Sequence, residues 1–250
     1  MMNVTKRQIL SLLVGGASLV GFAASNAMAQ ADAAHSPKAG KATPAAAPAA
    51  AQPEHNKDAK KHEKTDQGQG NGVVTIGQDA PAIELKDTEG KTVKLADFKG
   101  KIVVLEWFNP ECPYILKHHT KNTTMVDTYN KFKDKGVVWL AINSGAAGKE
   151  GAGQAASEKA KKDWKLPFPV LIDESGKVGK SYGAKNTPAM FVIDANGKLA
   201  YMGAIDNDDS PSKLGSTNYV AQAVSQLLAK ETVSTQVTKP YGCGVKYGGS

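Results

Sequence analysis

Downstream of residue 72 the apolar positions fall into short runs separated by polar and glycine-containing turns, and their spacing alternates between strand and helix periods. The run over 102–108 is short and rich in β-branched and aromatic residues, as expected of a strand covered on both faces. Pro110 ends it, and a helix is expected from Pro113 to about residue 132. Ahead of it, the runs 82–86 and 92–95 flank Asp87-Thr-Glu-Gly90 and read as a β-hairpin. Behind it come a second buried strand over 136–142, a glycine-rich loop over 144–156 and a lysine-rich helix ending near Trp164. A third strand over 168–172 and a short helix over 175–182 follow. Thr187-Pro188 then precedes an apolar run over 189–193, which Asn196-Gly197 turns back into 198–202, a strong hairpin signal. A proline heading a central strand cannot donate to the ladder and is out of place there unless it marks a cis turn. An amphipathic helix over 217–231 and the segment Lys239-Pro-Tyr-Gly-Cys-Gly-Val-Lys-Tyr247 come last.

The first 72 residues lack this pattern. Residues 1–29 have the parts of a secretory signal peptide: basic Lys6-Arg7, an apolar stretch over 9–24, and Ala27-Met28-Ala29 ahead of a cut. That stretch is too short and glycine-rich for a good membrane span and no second long apolar run follows, so no stable membrane anchor is expected after processing. The mature protein is expected to be periplasmic or secreted. Residues 30–72 are dominated by Ala, Pro, Lys, Gln and Gly without an aromatic residue, a composition that cannot offset ordering entropy by burial. They read as a disordered linker. His35, His55 and His62 are widely spaced there, as solvated residues rather than converging metal ligands. The expected organisation is a signal peptide over 1–29, a linker over 30–72, an α/β domain over 73–234 and a cysteine-containing tail over 235–250.

The whole chain carries a net charge of +7, but within 73–250 the lysines only modestly exceed the acids. The lysine-rich helix therefore reads as a solvated face, and no nucleic-acid partner is expected. The candidate chemistry rests on the 2 cysteines, Cys112 and Cys243. Cys112 falls where a helix begins, with Pro113 at the first helical position, so unpaired amides and the positive helix end favour thiolate over thiol there. Lys117 and the pair His118-His119 add positive potential and Glu111 opposes it. Both histidines are expected to be partly exposed, acting on Cys112 only through charge. With a single pair of cysteines, Cys112 and Cys243 can join in one intramolecular bond. Two readings stay open: Cys243 resolves an oxidised or mixed-disulfide Cys112, or the bond is a permanent staple worth roughly 4–5 kcal/mol.

A buried strand, a cysteine at the next helix start and a Thr-Pro opening a strand before an antiparallel hairpin together resemble the thioredoxin fold. The stretch 76–202 is similar to the redoxin branch, the AhpC/TSA superfamily. Within it, Trp-Phe-Asn-Pro-Glu-Cys-Pro-Tyr-Ile-Leu-Lys-His-His with the distant Gly-Cys-Gly-Val-Lys-Tyr resembles a peroxiredoxin-like subgroup. The resemblance implies a central mixed sheet flanked by helices with an N-terminal β-hairpin, no cofactor, Cys112 as nucleophile and Pro188 as the cis-proline facing it. Trp107, Asn109, Pro113 and Thr187 would shape the site. The implied partner is a thiol or disulfide, protein or small molecule, with hydroperoxide as a further substrate.

The departures from the pattern narrow the chemistry. The second cysteine of Cys-x-x-Cys is replaced by Ile115 and that of Cys-x-x-x-Cys by Leu116, so a local dithiol is absent. Where peroxiredoxins place a threonine or serine and a proline ahead of the cysteine, this chain has Asn109 and Leu105, and its sole arginine is Arg7. Peroxide activation thus lacks its main electrostatic aid. An exported thiol-based oxidoreductase is expected, with thiol–disulfide exchange ahead of peroxide reduction. The contrasting expectation is a non-catalytic thioredoxin-fold binding protein with a structural disulfide.

Overall fold

The structure, a computed structural model, describes residues 73–249. The signal peptide and linker expected over 1–72 lie outside the described residues. The elements run β1 (Glu84–Asp87), β2 (Thr92–Lys94), β3 (Ile102–Trp107), α1 (Pro113–Leu116), α2 (Thr124–Phe132), β4 (Val137–Asn143) and α3 (Gly153–Asp163). After them come β5 (Val170–Ile172), α4 (Lys177–Tyr182), β6 (Asn186–Thr187), β7 (Met190–Ile193), β8 (Leu199–Gly203), α5 (Tyr219–Leu228) and β9 (Cys243–Gly244). Seven strands form one mixed sheet in the order β2-β1-β5-β4-β3-β7-β8, with β3 parallel to β4 and antiparallel to β7. This is the thioredoxin-like arrangement expected from the sequence.

The side-chain period of 2 in the central strands sorts the core into two faces. On one, Val103, Leu105 and Trp107 of β3 pack with Leu140 and Ile142 of β4, Phe191 and Ile193 of β7, and the hairpin residues Ile83 and Val93. On the other, Ile102, Val104 and Phe108 pack with Trp139, Met190 and Val192, under α2 and α5. Cys112 and Ile115 belong to this second face. So does the direction of Glu106, the one acid in a strand whose residues are all buried.

The helix expected from Pro113 to Phe132 is broken, a correction with a visible cause. After one turn of α1 the backbone widens into a π-helical turn over Lys117–Lys121, with Asn122 N–H donating to the Lys117 carbonyl at 3.1 Å. Asn122 itself is extended, and its side-chain amide donates to the same carbonyl at 3.0 Å. Thr123 then restarts the helix as N-cap of α2. In a regular α-helix successive residues turn by about 100°, so three in a row cannot all face inward. The wider turn lets Lys117, His118 and His119 do so.

The tail folds onto the domain. Around Val237 it runs along the edge of β8, with Met202 N–H donating to Gln236 O at 2.9 Å and Thr238 N–H to Met202 O at 3.1 Å. It then crosses to pair antiparallel with β6, Thr187 opposite Cys243 and Asn186 opposite Gly244. Close approach sets the glycines on this route: a Cβ at Gly203 would stand 2.1 Å from Thr238 Oγ1, and one at Gly242 would stand 2.2 Å from the Thr187 carbonyl oxygen.

Candidate active site

Cys112 is the N-cap of α1, extended in backbone, with Pro113 next as the first helical residue. Its sulfur makes no capping bond to a helix amide; the thiol donates instead to the Thr187 carbonyl oxygen at 3.0 Å. Thr187-Pro188 is cis, as the sequence predicts, and both residues are buried. Cys112 itself is only 3% exposed. The tail strand passes here, pairing with Thr187 and setting Cys243 against Cys112, so the residues Tyr241 to Tyr247 form a strap across this point.

Both cysteines are free thiols. Cys243 is half-buried, and its pKa is pushed up to about 12, first by burial, then by its side-chain hydrogen bond to Cys112 and by the charge there. The Lys246 ammonium works in the opposite direction. The strap is fixed on both sides of Cys243. On the far side Tyr247 donates its hydroxyl to Ala184 O at 2.7 Å, Val245 N–H to Lys185 O at 2.9 Å, and Ala146 N–H to Lys246 O at 2.9 Å. On the near side Tyr241 donates to the buried Asp206 carboxylate and accepts from His118 Nε2 at 2.9 Å.

The structure places the remaining candidates differently from the sequence expectation. Lys117 does not lie open beside Cys112: it is fully buried, donating to Asp208 O at 2.7 Å, 3.8 Å from Asp206 Oδ1 and 4.9 Å from the Tyr241 ring centre. His118 and His119 are buried rather than partly exposed, because the π-helical turn rotates them inward. Since the Tyr241 hydroxyl gives its hydrogen to Asp206, His118 must be the donor to it, leaving Nδ1 without a partner. Burial, followed by smaller effects of Asp206 and Lys117 that oppose each other, lowers the His118 pKa to about 4.

Trp107 is not a wall of the site. It lies under the opposite face of the sheet, packed on Tyr182 and Phe191, and donates its indole N–H to Ser144 Oγ at 3.0 Å. Asn109 pins loops: its amide donates to Glu150 O at 3.0 Å and its carbonyl accepts Glu111 N–H at 2.9 Å. Glu111 and Pro113 are exposed on the rim beside Cys112.

Sequence reasoning missed Glu106. Its carboxylate is fully buried, 2.6 Å from His119 Nε2, with Trp139 Nε1 donating to the other oxygen at 3.0 Å. His119 stacks on Trp164 with ring centres 5.7 Å apart. A lone acid inside an otherwise apolar strand was the available signal, since a buried carboxylate demands a partner.

A cysteine at a helix start, a cis-proline turn against it and a mixed sheet behind define a thioredoxin-fold thiol protein. The AhpC/TSA family matches residues 76–202, and this chain belongs to that family, and with it to the thiol-dependent oxidoreductases. Among curated relatives, it is 36% identical over 126 residues to thiol-disulfide oxidoreductase ResA of Bacillus thuringiensis, covering 50% of this chain and 68% of that one. Peroxiredoxin Q of Oryza sativa is 33% identical over 163 residues, covering 61% and 69%. Among solved structures, an uncharacterized conserved protein of Geobacillus kaustophilus superposes with a TM-score of 0.65 at 28% identity, covering 71% of this chain and 95% of that one. A hypothetical protein of Sinorhizobium meliloti shares the fold at a TM-score of 0.62 and 24% identity, covering 72% and 98%.

Proposed function

We propose that this chain is an exported thiol–disulfide oxidoreductase in which Cys112 is the nucleophile and Cys243 the resolving thiol. The observation that carries this is the β6–β9 pairing, which sets Cys243 across from the residue whose carbonyl holds Cys112. Export rests on the composition of residues 1–29 and the tether on that of 30–72; among the described residues no helix is long and apolar enough to cross a membrane.

The steps follow from the geometry. Cys112 is covered, so a substrate meets it when the short β6–β9 ladder opens, a ladder of two residue pairs being weak by itself. The Cys112 thiolate attacks a disulfide R–S–S–R′, forming a Cys112–S–S–R mixed disulfide and releasing R′–S⁻. With the Cys112 sulfur bonded, the hydrogen bond and charge from Cys112 that hold the Cys243 pKa up are gone, leaving burial and a smaller effect of Glu150 to oppose ionisation and Lys246 to favour it. Cys243 then loses its proton and attacks the Cys112 sulfur, expelling R–S⁻. The substrate is reduced by two electrons and the protein holds the Cys112–Cys243 disulfide, which an external dithiol returns to the reduced state. Peroxide is the poorer substrate because Asn109 and Leu105 occupy the activating positions, and Asn109 is committed to loop contacts.

The test is alkylation and mass spectrometry of the full chain across a redox series, with stopped-flow peroxide consumption in parallel. A reversible Cys112–Cys243 bond and slow peroxide turnover are expected. Cysteines that never pair, or a pair that resists reduction throughout, overturn the reading in favour of a binding protein; rates typical of dedicated peroxidases overturn the substrate preference.

A further inference from the structure

The dithiol reading requires Cys243 to be held in register, and the ladder that carries it has too few pairs to do that alone. We propose that Tyr241 is the positioning residue for Cys243, its hydroxyl held by Asp206 and His118 beside the Lys117 ammonium so that the strap keeps the second thiol against Cys112. This rests on the dithiol mechanism and names the device that makes it efficient.

Three observations converge. The phenol of Tyr241 is engaged on both sides, donating to Asp206 and accepting from His118, while Lys117 sits 4.9 Å from its ring centre and Tyr114 packs against it at 5.7 Å. Asp206 is 2% exposed and also fixed by Gly215 N–H at 2.8 Å, so the anchor point is rigid rather than a solvent contact. Most telling is where the partners come from: Tyr114, Lys117 and His118 all lie on the segment that starts at Cys112. Tyr241 therefore ties the strap to the segment bearing the nucleophile, whereas Tyr247 ties it to Ala184. The π-helical turn is what delivers Lys117 and His118 to this point together.

The consequence is thermodynamic. Oxidation by a disulfide converts two thiols of the protein to one disulfide and yields two thiols of the oxidant. Its equilibrium depends on the effective concentration of Cys243 at Cys112. Docking of the strap and formation of the bond strengthen each other by the same factor, so loosening the anchor must weaken the disulfide.

The experiment equilibrates the full chain with glutathione buffers of stepped thiol-to-disulfide ratio and quenches by alkylation. Wild type, Tyr241→Phe, Tyr241→Ala and Val93→Ala are compared, with melting temperatures recorded for each. Tyr241→Ala is expected to lower the pairing constant by roughly tenfold or more, a potential about 30 mV less negative. Tyr241→Phe, which keeps the ring but not the hydroxyl, falls between. Val93→Ala thins the distant hairpin core and lowers the melting temperature while keeping the wild-type constant. Wild-type constants in both Tyr241 variants overturn the positioning role. A wild type that pairs at no ratio overturns the dithiol mechanism instead, and the inference with it.

Discussion

Cys243 stands across from Thr187 in the β6–β9 ladder, and the Thr187 carbonyl oxygen is the atom to which Cys112 donates, at 3.0 Å. A single backbone residue thus sets the positions of both sulfurs. In the proposed mechanism the two thiols are brought together across the cis-proline turn rather than within one helix, without a local Cys-x-x-Cys.

If Cys112 attacks and Cys243 resolves, the two serine variants must behave differently. Cys112→Ser abolishes reaction with disulfides. Cys243→Ser leaves the first step intact and lengthens the life of the Cys112 mixed disulfide, roughly tenfold or more against dilute external thiol. Gel shift and mass spectrometry after a glutathione-disulfide pulse measure both.

The strap should also act as a cover. Gly242 has φ of +110°, and a Cβ there would meet the Thr187 carbonyl oxygen at 2.2 Å. Gly242→Ala is therefore expected to lift the strap and to speed alkylation of Cys112 by roughly tenfold or more, because access to a covered thiol follows the opening equilibrium. Unchanged protection of Cys112 in that variant would show that the strap is not its cover.

Stability should depend on pH through His118. The unfolded chain takes up this proton near 6.5 and the folded chain only near 4, because the ring is buried with Nδ1 unpartnered. Between those values the unfolded state holds more protons, so stability falls as the pH is lowered from 6.5 to 4. The loss is on the order of 3 kcal/mol. Urea titrations across that range should show the slope in wild type and a flatter profile in His118→Gln.

Glu106 and His119 form a buried pair with Trp139 as third member, and removing one partner strands the other. Glu106→Ala is expected to cost about 3–5 kcal/mol in chemical denaturation, whereas Glu106→Gln, which retains an acceptor and the volume, costs less. Equal losses for the two would mean that packing, not the polar pair, is what the position supplies.

Much of the fold was legible because its signals are local. The short, largely apolar runs of β3, β4 and β7 and the Asn196-Gly197 turn are written in consecutive residues, and so is the proline that heads β7. The helix-start position of Cys112 and the cis bond before Pro188 were legible for the same reason. What escaped depends on residues far apart in the chain. Lys117, His118 and His119 look like a basic helix face until the π-helical turn, marked only by the polar Lys-Asn-Thr-Thr run after it, rotates them inward. Glu106 disappeared into an apolar strand because its partners, His119 and Trp139, come from other elements. Gly242 is there because the strap passes so close to Thr187, a contact that no local pattern announces. Trp107 lies beside the motif in sequence and across the sheet from it in space.

The strap is also the last of the described elements to be made. Thr187, Asp206, His118 and Ala184, on which it rests, all precede it in the chain, so a vectorially emerging polypeptide completes its docking surface before the cover arrives. Until then Cys112 lacks the second thiol, which the strap carries. In the proposed mechanism, a chain whose strap has yet to dock exposes Cys112 to foreign disulfides, and the contact of Tyr241 with Asp206 marks the end of that exposure.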